Sequence, residues 1–90
     1  MKKILTLHLK AEYFYAIQDG TKLEEFRQCT AYWTKRLDKI YDEIHLKLGY
    51  PKRGDMSRTI IKKYNGFKLK SITHKHFGDK EVDVFAIDVK

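Results

Sequence analysis

Apolar and polar residues alternate from the start of the chain. Between Lys3 and Leu9, the residues Leu5, Leu7 and Leu9 fall on one side and Ile4, Thr6 and His8 on the other, the period-two pattern of a strand with one buried face. The period lengthens over Ala11 to Asp19, where Phe14 and Ile17, with Tyr13 beside them, recur at helical spacing. Asp19-Gly20 supplies the stop, because glycine readily takes the left-handed conformation at a helix end. Lys22 to Gln28 reads as a second strand, with Leu23, Glu25 and Arg27 pointing one way and Lys22, Glu24 and Phe26 the other. Thr30 is placed to cap a second short helix running from Ala31 to Leu37 or Lys39. Its Trp33, Leu37 and Ile40 or Tyr41 should face the core, leaving Lys35, Arg36 and Lys39 outward.

The second half reads as strands alone. Asp42 to Leu48 sets Ile44, Leu46 and Leu48 inward against Glu43, His45 and Lys47 outward. Gly49 to Asp55 is a turn by its glycines and its proline. Ser57 to Tyr64 and Phe67 to Thr73 flank Asn65-Gly66, a two-residue hairpin signal that would set Tyr64 opposite Phe67 and Lys63 opposite Lys68. His74 to Glu81 is a polar loop. Val82 to Val89 is nearly continuous in apolar residues, as a strand covered on both faces would be. The order β-α-β-α-β-β-β-β predicts one α+β domain over residues 1–90. Its expected form is a small β-barrel of about six mostly antiparallel strands with two short peripheral helices.

Composition narrows the class of partner. The 90 residues suit a single small domain with a modest core. Nineteen basic residues against twelve acidic ones give a net charge of +7, which favours an anionic partner without naming it. Cys29 is the one cysteine, so an internal disulfide is excluded and a reducing, intracellular setting is the simplest fit; a buried, inert thiol is expected there. No apolar run approaches the roughly 20 residues that span a membrane. The short run after Met1-Lys2-Lys3 is broken by Thr6 and His8 and leads to no small-residue cleavage site, so a soluble, cytoplasmic protein is expected.

Candidate chemistry concentrates between Gly20 and Arg27. Glu25 and Arg27 share a strand face, and Lys22 sits at the strand entrance, where the chain can still turn it toward that face. A solvated edge strand would give the same residues. His74 and His76, with Asp79 near, are of metal-ligand type, but nothing else has ligand spacing, so neither a metal nor another cofactor is expected. The chain has no glycine-rich phosphate loop before a helix, no nucleophile elbow and no H-E-x-x-H. What remains is a set of bases with interleaved rings: Lys22, Arg27, Lys35, Arg36, Tyr50, Lys52, Arg53 and Arg58. Such residues attract phosphates and stack on unpaired bases, although a plain solvated face has the same composition.

The stretch Gly20-x-Lys22-x-x-Glu25-x-Arg27, set after a strand and helix and before a second helix, resembles the signature of the ASCH domain family, a branch of the PUA-like superfamily. Lys10-Ala11-Glu12-Tyr13 is similar to the family's opening. Leu48-Gly49-Tyr50 is similar to its downstream strand-end motif, with Leu48 where an asparagine is frequent. The resemblance implies a PUA-like barrel, a cleft lined by the signature residues, and RNA or a modified nucleoside or nucleotide as ligand. It also implies an alternative, because some small relatives are amidohydrolases acting on acetylated cytidine and some members cleave RNA. In the amidohydrolases a lysine at the position of Lys22 is matched with a threonine three residues on, where this chain has Glu25, and with a late glutamate. Glu81, Asp83 and Asp88 are the late acids available here.

Two expectations therefore stand side by side. In a binding module, Lys22 and Arg27 contact phosphate or a base edge, Glu25 orients Arg27 and can accept from an exocyclic amine of the base, and Tyr50, Lys52 and Arg53 flank the cleft. In a hydrolase, Lys22 is the nucleophile or proton carrier and Glu25 the general acid/base. A basic face that docks an acidic protein is the third possibility.

Overall fold

The computed structural model describes residues 1–52, 57–73 and 78–90. Its elements are β1 (Ile4–Leu9), α1 (Ala11–Gln18), β2 (Glu24–Gln28), α2 (Ala31–Leu37), β3 (Glu43–Leu48), β4 (Thr59–Lys63), β5 (Phe67–Ile72) and β6 (Val82–Asp88). The predicted order of strands and helices is the one observed.

Alternation along β1 and β3 decides where the core lies. Leu5, Leu7, Ile44 and Leu46 are fully buried, and the two strands run parallel with Leu5 beside Ile44 and Leu7 beside Leu46. A parallel pair needs a crossover. Here the crossover contains α1, β2 and α2. β4 adds antiparallel to β3, completing a sheet of order β1-β3-β4. The second sheet has the order β2-β6-β5 and is antiparallel throughout. Its central strand β6 buries Val84, Phe85, Ala86 and Ile87 in succession, as its nearly continuous apolar run predicts. Phe14 and Ile17 of α1 and Leu37 of α2 join Phe85, Ile87 and the β1 and β3 leucines in one core cluster. Truncating such a residue, Leu46 for example, removes about 2–5 kcal/mol in cores of this kind.

The expected hairpin at Asn65-Gly66 does not form. β4 pairs with β3 and β5 pairs with β6, so the turn carries the chain from one sheet to the other. Gly66 takes a φ of +83°, and its carbonyl accepts from Asp88 N. The local turn signal loses to strand pairing on either side of it. Tyr64 packs on the core and meets Tyr41 edge-on, with ring centroids 5.4 Å apart. Phe67 meets Phe85 edge-on at 5.1 Å in the other sheet. Separating the strands also avoids setting Lys63 directly against Lys68, a pairing that costs stability.

Of Ile40 and Tyr41, it is Tyr41 that packs against the core beyond α2, while Ile40 is exposed. One smaller expectation is corrected: Cys29, just past the end of β2 at Gln28, is exposed rather than buried. No helix among the described residues is long and apolar enough to cross a membrane.

Candidate binding cleft

Local hydrogen bonding fixes the entry to β2. Asp19 N donates to Tyr15 O and Gly20 N to Ile17 O, closing α1. Gly20 has a φ of +85°, and a Cβ built there would meet nothing within 4 Å, so the backbone conformation rather than crowding calls for glycine. Thr21 N and Lys22 N both donate to Ala16 O at 3.0 Å. Thr21 also gives its hydroxyl proton to Asp19 Oδ1 at 2.7 Å and its N–H to the same oxygen at 3.0 Å. These two bonds, the hydroxyl's first, hold the Asp19 carboxyl below its ordinary range. Lys22 thus starts from a backbone anchored to the helix.

Its side chain meets Glu25 and Arg27. Glu25 is 4 % exposed and is the buried acid among the described residues. Its Oε2 accepts from Arg27 Nη1 at 2.9 Å, and its Oε1 lies 3.6 Å from Lys22 Nζ. A carboxylate this deep persists only when paired. The period-two reading put Glu25 and Arg27 on one face, and the strand delivers that. Arg27 is braced twice more: Nη1 donates to Phe26 O at 2.9 Å and Nη2 to His8 O at 3.3 Å. The cluster carries two positive charges and one negative.

Aromatic rings wall this cluster. Lys22 Nζ lies 4.8 Å from the Phe26 ring centroid and 5.2 Å from that of Tyr13, both within cation–π range. The guanidinium of Arg27 lies 5.4 Å from the Trp33 centroid. Thr30 places Trp33: its Oγ1 accepts from Trp33 N at 3.3 Å, the N-cap bond its position predicts. Arg36 approaches the same indole at 4.8 Å and donates from Nη2 to Thr6 O at 3.1 Å. The open cleft between them holds about 360 Å³, at the small end of ligand-site volumes. The end of β1, Tyr13, Lys22, residues of β2 and the start of α2 line it.

The remaining expected residues are distributed differently. Tyr50 is not on the lining but stacks on His8, which is; the ring centroids are 4.3 Å apart and the planes 17° from parallel. Lys35 and Lys52 are exposed and take no part in the lining. Arg36, expected outward, is half-buried behind Trp33, because the Thr6 carbonyl and the indole face both lie within its reach. Arg58 is exposed beside β4, with its carbonyl accepting from Leu48 N. Arg53, His74 and His76 lie outside the described residues. No group of three His, Cys, Asp or Glu able to hold a metal occurs among the described residues.

The sequence reading did not assign His8, Lys10, Tyr13, Phe26, Tyr32 and Trp33 to the site, yet all six line the cleft. Trp33 was expected to be a core anchor and serves both ends, packing on the core with one part and facing the cleft with another. Partial desolvation, and then the Asp83 carboxylate, push the Cys29 thiol up. Compared with protein-family models, with curated proteins and with solved structures, the chain finds no match.

Proposed function

We propose that this chain is a nucleotide- or RNA-binding module of the ASCH type, its two sheets forming a PUA-like barrel and its cleft receiving a nucleotide or single-stranded RNA. One observation carries the reading. Lys22 and Arg27, held around the buried Glu25, meet the rings of Tyr13, Phe26 and Trp33 in a cleft of about 360 Å³. Aromatic walls suit the flat face of any base, and the surplus positive charge suits phosphate. Lys22, with its ammonium at the cleft, contacts phosphate or a base edge. Arg27 presents whichever N–H its three structural bonds leave toward the ligand. Glu25 has both oxygens facing cations, so it positions Arg27 rather than reading the ligand itself.

A second reading draws on the 3.6 Å separation of Lys22 Nζ and Glu25 Oε1. A lysine and a carboxylate at that distance, in a cleft, can hand a proton to and from a bound amide or phosphodiester. In that reading the protein is a small hydrolase of acetylated cytidine or of RNA.

Binding of short RNA measured across a salt series tests the first reading. Lys22→Gln, which keeps the Arg27–Glu25 bond, should weaken binding and flatten the slope of log K on log salt by roughly 0.7, one single-strand phosphate contact. The double variant Lys22→Ala/Arg27→Ala should flatten it by roughly 1.4. Unchanged affinity in both would remove the cleft from the account. Turnover of acetylcytidine or RNA by the wild type, lost in Lys22→Gln, would replace the binding module with the hydrolase.

A further inference from the structure

Tyr50 is 87 % exposed, and yet its ring is not adrift. One face lies on His8 in a near-parallel stack with centroids 4.3 Å apart. The imidazole beneath is itself fixed: His8 Nδ1 lies 2.8 Å from the Gly49 carbonyl. A carbonyl can only accept, so the proton of that bond is on Nδ1. Gly49 N donates to Leu9 O at 2.8 Å, tying the turn that carries Tyr50 to the end of β1. The His8 carbonyl takes Arg27 Nη2, so the same backbone that carries the platform braces the floor of the cleft. The result is an aromatic plate backed by His8 with its outer face in water, beside a hollow with room for about one nucleotide. A plate ordered before binding loses little entropy when a base lands on it.

We propose that the ligand is a strand rather than a single nucleotide: one nucleotide occupies the cleft, and the base next to it stacks on the outer face of Tyr50. The inference rests on the cleft's being a nucleotide site. Lys10 lines the cleft and Lys52 is exposed two residues beyond Tyr50, so each part of the proposed path carries a lysine able to pair with phosphate. Stacking on a ring needs no base-specific contact, so the platform takes any of the four bases.

Trp33 is the only tryptophan and lines the cleft, so its fluorescence reports occupancy directly. Titrations with cytidine monophosphate and with tetracytidylate, on wild type, Tyr50→Ala and Tyr50→Phe, test the proposal. The wild type should bind the tetranucleotide at least tenfold more tightly than the mononucleotide. Tyr50→Ala should lower tetranucleotide affinity about tenfold, the scale of one lost base–ring stack, and narrow that gap. Tyr50→Phe, which keeps the ring and loses the hydroxyl, should stay within about twofold of wild type. Equal affinities for the two ligands in the wild type, or equal loss of both in Tyr50→Ala, would overturn the platform while leaving the cleft intact. No fluorescence response to either ligand in the wild type would overturn the cleft reading and the platform with it. Tyr50 is on the surface, so its truncation leaves the core untouched.

Discussion

Glu24 and Glu25 are neighbours on β2, and each is ion-paired, but the two pairs stand in different surroundings. Glu24 Oε1 lies 2.6 Å from Lys70 Nζ, with the two side chains 25 % and 42 % exposed. Glu25 makes longer contacts, 2.9 Å to Arg27 and 3.6 Å to Lys22, with its own side chain 5 % exposed. Distance alone would rank the surface pair higher. Water reverses the order, since it screens the Glu24–Lys70 attraction and would solvate either partner if the other were lost. At Glu25 little water is available, and the charge depends on its two cations. The general lesson is that an ion pair matters in proportion to what happens when it is broken. In this chain the pair that cannot be broken cheaply is also the one at the cleft.

That contrast is open to direct challenge. The largest effect is expected from Arg27→Ala, which leaves the buried Glu25 carboxylate with the more distant Lys22 alone; urea unfolding should show a loss of about 3 kcal/mol. A loss below about 1 kcal/mol would put Glu25 in the same class as Glu24. Next in size, Glu24→Ala and Lys70→Ala should each cost under about 1 kcal/mol, and a double-mutant cycle between them should shrink further at high salt. A coupling there that matched the Arg27→Ala loss would break the comparison.

The smallest effect concerns Glu43, a third paired glutamate of the open kind. Hydrogen bonds from Lys2 at 2.9 Å and from His45 at 3.1 Å hold its carboxyl below the ordinary value of 4.5. A carboxyl lowered in the folded state binds fewer protons there than in the unfolded chain. Its contribution is therefore present above pH 4.5 and is lost as pH falls through the lowered folded value. Glu43→Gln should flatten the acid limb of the stability curve below that pH. An acid limb as steep in the variant as in the wild type would show that the Lys2 and His45 bonds do not act in solution.

The legible features were those set by one element at a time. Period-two alternation placed Leu5, Leu7, Ile44 and Leu46 in the core, and Thr30 announced the helix that begins at Ala31. Glu25 and Arg27, two residues apart on one strand, could be put on a common face from spacing alone. Lys22 joined them because it lies before the strand proper, where the anchored turn directs it. What escaped was set between elements. The walls come from α1, β2 and α2 together, and no periodicity says that Tyr13 and Trp33 will face one hollow. The His8–Tyr50 stack joins the ends of β1 and β3, which are neighbours only through their parallel pairing. The Asn65-Gly66 turn misled for the same reason. Its local chemistry suits a hairpin, but β4 and β5 pair in different sheets, where Tyr64 meets Tyr41 and Phe67 meets Phe85.

The central claim is that the ligand enters where Lys22, Glu25 and Arg27 meet the aromatic wall. An amide-resolved NMR titration with tetracytidylate tests it most directly, because it needs no substitution and sees both sheets at once. The predicted result is that the shifts concentrate at His8 to Lys10, Tyr13, Lys22 to Gln28, Tyr50 and the Trp33 indole, with β5 unmoved. Shifts spread over Lys68 and Lys70 of β5, with the Trp33 indole still, would contradict it.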